Sequence, residues 1–255
     1  MVGSKALVLL SFVTMFLYAG QVHAAGSPAV LAAYQAWFGL SSHLNIYNSK
    51  DAAVIDRQIQ KAKAIGIAGF VVDWYGPSQS GLTNDENRKF IDNVTSVLIS
   101  RAEAYDFKIA LMYDEGAIKD SGIANTSAYQ NQVNTDLDYA KKYFSSRSYL
   151  QINGHPALFV FPYDEVDNYI DWNSVRTSLG KGTPVTLIDK NPNPLTPEHD
   201  ALFDGFYAWV QPTKWDNWSS DGKDWGKGYL NWFYPTMEGG SYLNKIMVGG
   251  RLAWI

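Results

Sequence analysis

The chain has 255 residues, a net charge of −4 and no cysteine. Absent thiols exclude a disulfide framework and thiolate metal ligation, and no Lys/Arg cluster offers the phosphate-binding surface that a nucleic-acid partner requires. The distinctive feature is an aromatic content of 15%, with 9 Trp and 16 Tyr; such rings fill cores, and their flat faces with polar edges also suit sugar rings.

Lys5, the apolar stretch Ala6 to Ala19 and the small-residue pattern Val22-His23-Ala24 have the order of a secretory signal. The apolar stretch is shorter than the roughly 20 residues a membrane span needs. Residues 1–24 are therefore expected to be removed, with Ala25 as the mature start and a secreted or periplasmic destination. Residues 25–255 show no composition break and read as one domain, a monomer with no membrane association once the signal is gone.

Val30 to Phe38 reads as a first strand, followed by a loop carrying His43. Ile55, Ile59 and Ala62 mark one face of a helix over Asp51 to Ile65. That helix leads into Gly66 to Gly76, a continuous apolar run ending in Asp73-Trp74-Tyr75-Gly76, the pattern of a parallel strand buried on both faces. Thr83-Asn84-Asp85-Glu86 forms a capping-box pattern before a second helix with Phe90, Val94, Val97, Leu98 and Ala102 on its apolar side. Lys108 to Tyr113 is a third strand, ending in Asp114-Glu115-Gly116. A helix bearing Val133, Leu137, Ala140 and Phe144 follows, then the Asn153-Gly154 turn and a strand over Pro156 to Tyr163. The pattern continues with a helix over Asp171 to Leu179, strands over Pro184 to Asp189 and Ala201 to Val210, a short helix over Gly228 to Phe233 and a strand from Lys245 to Gly249. Alternating strands and helices imply a parallel sheet, and seven strands favour an α/β fold of the (β/α)8 TIM-barrel type. An eighth strand is not found after Gly250, so the barrel is expected to be incomplete at the C-terminus, with open edges at its first and last strands.

In such barrels chemistry sits at the carboxyl ends of the strands. Three strands end there in acids and aromatics: Asp73 with Trp74 and Tyr75, Asp114 and Glu115 after Tyr113, and Asp164 and Glu165 after Tyr163. Paired carboxylates flanking a bond are the machinery of glycoside hydrolysis. Glu115, with the longer arm, is the expected general acid/base, and Asp73 or Asp114 its partner; the competing reading for each is a solvated or loop-capping acid. Trp37, Trp74, Tyr75, Tyr113 and Trp209 are expected pocket walls, with His43 and Asp164 as further sugar contacts. Asp189 is a weaker candidate. Trp215, Trp218 and Trp225 are set among polar residues, and at least one of them is expected to be exposed near the cleft as a sugar platform. No His-Glu-x-x-His, phosphate loop or dinucleotide fingerprint occurs, so neither metal nor cofactor is expected.

Tyr34-Gln35-Ala36-Trp37-Phe38-Gly39, Gln58 to Lys63, Gly66 to Gly76, Lys108 to Gly116 and Asn153 to Phe161, taken in order, resemble the glycoside hydrolase 71/99-like proteins, endo-α-mannosidase-type barrels. The likeness covers most of residues 25–255. It implies a single (β/α)8 barrel and retaining hydrolysis of α-linked glycans. In the endo-α-mannosidases of that group the catalytic acids stand as Glu-x-x-Glu. Here the matching place reads Asp114-Glu115-Gly116-Ala117-Ile118, with no Glu three residues on. The expected function is a secreted glycoside hydrolase acting on oligo- or polysaccharide; the alternative is a non-catalytic carbohydrate-binding barrel that has lost the carboxylate pair. A lyase would need a basic residue for a uronate beside the base, and these strand ends carry no Arg.

Overall fold

A computed structural model of the chain describes residues 13–18, 29–43, 47–181, 184–209 and 227–252. In chain order the elements are β1 (Val13–Tyr18), β2 (Val30–Tyr34), α1 (Ala52–Ala64), β3 (Ile67–Trp74), α2 (Asp85–Tyr105), β4 (Lys108–Asp114), α3 (Gly116–Lys119), α4 (Tyr129–Phe144), β5 (Gln151–Ile152), β6 (His155–Phe161), α5 (Asp164–Asp167), α6 (Trp172–Leu179), β7 (Thr186–Lys190), α7 (Pro197–Asp200), β8 (Gly205–Tyr207), α8 (Lys227–Met237) and β9 (Ile246–Leu252). Trp215, Trp218 and Trp225 lie outside the described residues.

The strands β2, β3, β4, β6, β7, β8 and β9 pair in that order, all parallel, and curl as a partial (β/α)8 barrel. Helices α1, α2 and α4 cover the outer face. Side chains alternate across a strand, and the core splits accordingly. Val72, Trp74, Leu111, Tyr113 and Leu158 face the helices. Leu31, Val71, Ala110, Met112, Phe159 and Ile188 fill the barrel interior together with Tyr207 and Val248. The expected open edges are not found: β1 pairs antiparallel with both β2 and β9, occupying the position of an eighth strand. That strand falls within the segment read above as a signal, so signal removal would unpair both edges.

Local chemistry sets the boundaries. Asp51 caps α1 by accepting the Ala53 amide at 2.8 Å. Gly66, at φ +85°, then turns the chain into β3 where a side chain would be strained. The capping box expected before α2 does not form: Asn84 donates instead to the Ala117 carbonyl and Thr83 to that of Asp120, so both tie the helix start to the loop after β4. Asn153 and Gly154 both have positive φ and make the β5–β6 turn, as their sequence signal requires. The strand expected over Ala201 to Val210 shrinks to three residues because α7 precedes it and Asp204 is committed elsewhere, pairing with Arg176 and accepting the Leu187 amide. Gly205 allows close approach to β9: a Cβ there would lie 2.3 Å from the Ile246 carbonyl oxygen.

Behind the sheet, Arg88 on α2 and Asp136 on α4 form an ion pair with no exposure of either side chain. Arg88 Nε also donates to the Pro77 carbonyl at 2.9 Å, and the Tyr113 hydroxyl donates to Asp136 at 2.8 Å. Removing one partner of a buried pair strands the other charge at a cost of about 3–5 kcal/mol. Arg88→Met is expected to lower unfolding free energy by that amount in a denaturant titration, and Arg88→Met with Asp136→Leu to recover most of it; equal stability of the single variant and the parent would contradict the assignment.

A second expectation concerns β1. A chain beginning at Ala25 should melt at lower temperature and less cooperatively than the full chain, and a coincident sharp transition for the two would show that β1 contributes nothing to closure.

Candidate active site

The register of β3 and β4 pairs Asp73 with Met112 and Trp74 with Tyr113. Alternation then places Asp73 and Asp114 on the interior side, at the carboxyl ends of adjacent parallel strands. Asp73 is 5% exposed, and its Oδ1 has no hydrogen-bond partner among the described residues. Asp114 Oδ1 accepts the Gly116 amide at 2.7 Å. Burial first, then the Asp114 charge and a hydrogen bond between the two carboxyls, push the Asp73 carboxyl well above its usual range. Burial also raises Asp114, to about 6, against the lowering pull of the Gly116 amide, Lys190 and Asp73. Two carboxyls so placed cannot both ionise cheaply, and they hold a proton between them, Asp73 the stronger keeper.

Glu115 lies one residue beyond the strand, where the backbone has turned helical (φ −67°, ψ −22°). Glu115, expected to be the general acid/base for its longer arm, is fully buried. Its Oε2 accepts the Tyr163 amide at 2.9 Å and Oε1 is unpartnered. Burial, reinforced by Asp167, raises its carboxyl well above the ordinary range.

Aromatic positions divide. Trp74 and Tyr113 do not wall the mouth: both are fully buried on the helix side, Trp74 Nε1 donating to Asp92 at 3.0 Å and Tyr113 to Asp136. The strand period that turns Asp73 and Asp114 inward turns their neighbours outward. Trp37, His43 and Tyr75 lie together on the mouth side of β2 and β3. Trp37 stacks on His43 at 4.9 Å and approaches Tyr75 at 6.3 Å, and the Tyr75 hydroxyl is raised by burial and by Asp73 and Asp114. Trp209, after β8, packs edge-on to Phe161 at 5.0 Å. Asp164 begins α5 and is exposed.

The fold also gathers residues that sequence reading passed over. Lys190, at the end of β7, sits over the Phe161 ring at 4.0 Å and donates to the Pro162 carbonyl at 3.3 Å. Burial lowers its ammonium, which Asp189, Asp164, Asp114 and Glu115 counteract. Gln35 reaches Asp73. The strand-end signal was present in Asp189-Lys190-Asn191, as in the other acid-ended strands; nothing local marked Gln35. Among the described residues no group of three or more acidic or histidine side chains is arranged to hold a metal, and no helix is long and apolar enough to cross a membrane.

No protein-family model matches the sequence, and no curated protein does. Solved structures do resemble it. A GH99 endo-α-mannosidase from Bacteroides thetaiotaomicron, in complex with bis-tris propane, superposes with a TM-score of 0.58 at 15% identity over 86% of this chain and 68% of its own. A second structure of the GH99 endo-α-mannosidase from that organism gives 0.52 at 15% identity, covering 74% of this chain and 64% of its own. The chain thus spans about two thirds of those structures, and the likeness establishes the fold, a partial (β/α)8 barrel.

The raised carboxyls make stability depend on pH in a fixed direction. Asp114 binds its proton more tightly folded than unfolded, so its contribution is complete below about pH 4 and is lost as pH rises through about 6. Asp73, Glu115 and Asp189 extend that loss to higher pH. The melting temperature is expected to fall between pH 4 and 7, and Asp114→Asn to flatten the part below pH 6; a melting temperature rising across that window in the parent would contradict the buried assignment.

Proposed function

We propose that the protein is an exported glycoside hydrolase that cleaves a glycosidic bond of an oligo- or polysaccharide by carboxylate acid/base catalysis. The observation that carries this reading is the cluster of largely buried carboxyls at the carboxyl ends of adjacent barrel strands, Asp73 and Asp114 in contact and acting as one unit, with Glu115 next to Asp114 in the chain as the second carboxyl. Glycoside hydrolysis requires one carboxylic acid to protonate the leaving oxygen and one carboxylate to attack the anomeric carbon or activate water. Asp114, raised to about 6 and only partly buried, titrates near the pH at which a group both gives and takes a proton. Asp73 keeps the pair's proton. Glu115 lies beneath the loop after β6, its Oε2 accepting the Tyr163 amide, and its raised carboxyl is the further acid of the group. Trp37, His43 and Tyr75 form the aromatic flank against which a sugar ring rests.

The structural neighbours' activity makes α-mannosides the first substrates to try, and the Glu-x-x-Glu pattern that the sequence resemblance implies is not reproduced at Asp114-Glu115-Gly116-Ala117-Ile118. That departure, with the sealed position of Glu115, favours as a second reading a carbohydrate-binding barrel without hydrolytic power.

Export is tested by mass spectrometry of secreted material, expected to begin at Ala25; retention of Met1 would overturn it. Activity is tested by release of reducing ends from α- and β-linked oligosaccharides. Asp114→Asn and Asp73→Asn are each expected to lower kcat by roughly 10²–10⁴-fold, the range of a general acid/base. Binding without any release of reducing ends would support the second reading, and hydrolysis untouched by both substitutions and by Glu115→Gln would place the chemistry elsewhere.

A further inference from the structure

Beside the Asp73–Asp114 pair, across Lys190, the barrel mouth opens into a separate cleft of about 550 Å³ between α5, the end of β7 and α7. Its floor is built rather than incidental. Asp200, 3% exposed, accepts the Asn193 amide at 2.7 Å and the Tyr242 hydroxyl at 2.5 Å through Oδ2, yet leaves Oδ1 without a hydrogen-bond partner. Asp189, also 3% exposed, accepts the Lys190 amide at 2.7 Å through Oδ1. His199 stands between them and α5, with Nε2 at 3.2 Å from Asp167 and Nδ1 at 3.8 Å from Asp200. Its charge is therefore spent on two carboxylates rather than offered to an anion. Buried acceptors with unused capacity favour a ligand that brings hydroxyl donors. The volume suits one sugar ring with ordered water.

A second, smaller cleft of about 390 Å³ adjoins the first and shares Asp164 and Asn168 with it. Its wall carries Tyr169, 52% exposed, with its ring edge-on to Tyr129 at 6.0 Å. An exposed tyrosine held by a second ring is a stacking surface for an apolar sugar face.

We propose that the two clefts bind consecutive units of one neutral oligosaccharide, the first unit in the polar cleft over Asp189 and Asp200 and the second against Tyr169. This rests on the glycosidase reading for its substrate class, but not for its location. An anionic uronate would meet Asp164, Asp167 and Asp200 in the first cleft, while His199 is already set against Asp167 and Asp200 and Lys190 against Asp189 and Asp114, so a neutral sugar is favoured over an anionic one.

The test is titration calorimetry of the full chain with methyl α-mannoside, methyl α-glucoside, methyl α-glucuronide and the α-linked disaccharides of the two neutral sugars. At least one neutral glycoside is expected to bind, and its disaccharide about 10-fold more tightly. Asp189→Asn is expected to weaken both at least 10-fold, and Asp164→Ala, at the exposed rim where folding is not at stake, several-fold. Tyr169→Ala should abolish the disaccharide's advantage and leave the monosaccharide unchanged. Reducing-end release measured on the same variants separates this inference from the catalytic reading: binding weakened by Asp189→Asn and Asp164→Ala supports the two clefts whether or not hydrolysis is detected. Binding of the glucuronide at equal strength, or binding and KM unaffected by Asp189→Asn and Asp164→Ala, would overturn the assignment; should Asp189→Asn not fold, Asp164→Ala and Tyr169→Ala decide it.

Discussion

The buried ion pair between Arg88 and Asp136 is the contact on which the geometry of the mouth depends. Two charges removed from water are tolerated only when their hydrogen-bonding capacity is filled. Here Asp136 is served by Arg88, Tyr113 and Gln132, while Arg88 holds the Pro77 carbonyl through Nε and leaves Nη1 without a hydrogen bond among the described residues. Those partners come from α2, α4, β4 and the loop after β3, so satisfying one pair of charges fixes four pieces of chain. The end of β3 and the end of β4 are thereby set side by side, which is where Asp73 and Asp114 meet. Asp92 does similar work one turn further along α2, accepting from Trp74, Tyr139 and Tyr143. Polar groups behind the sheet thus hold the frame, and those in front are left for chemistry.

At the mouth the same low-polarity setting has the opposite consequence. Asp73, Glu115 and Asp189 are buried with fewer partners than a carboxylate requires, and each is pushed toward its neutral form. Three acids raised by burial, Asp114 raised to about 6 and a Lys190 whose ammonium is lowered by burial thus lie within one mouth. Such an arrangement is destabilising and is sustained by the surrounding core, the usual condition of groups held for reaction. His199 differs because the charges of Asp167, 3.2 Å from Nε2, and Asp200, 3.8 Å from Nδ1, raise it to about 10 and link α5 to α7.

Closure of the barrel sets strand pairing against export. Seven parallel strands leave a gap between β2 and β9, and the antiparallel β1 fills it from a segment whose residue order is that of a signal. An apolar strand-forming segment and an apolar signal segment have the same composition, which is why the residue order and the strand pairing give these residues two different roles.

What the sequence by itself determined was the set of parallel strands and their helices. Breakers such as Gly66, Asn153-Gly154 and Pro162 are local, and an apolar run buried on both faces leaves only its carboxyl end for polar residues, so the acids at 73, 114 and 189 were legible as strand ends. Period-two alternation within β3 and β4 also carried, unread, the fact that Trp74 and Tyr113 point away from Asp73 and Asp114. Tertiary structure alone decided the rest. Whether Glu115 is open or sealed depends on where the loop after β6 lies, because the Tyr163 amide reaches it across 48 residues. Whether His199 is inert or engaged depends on Asp167, 32 residues away in sequence and 3.2 Å away in space. Protonation follows burial and the nearest charges, and both are properties of neighbours that only the closed sheet brings together.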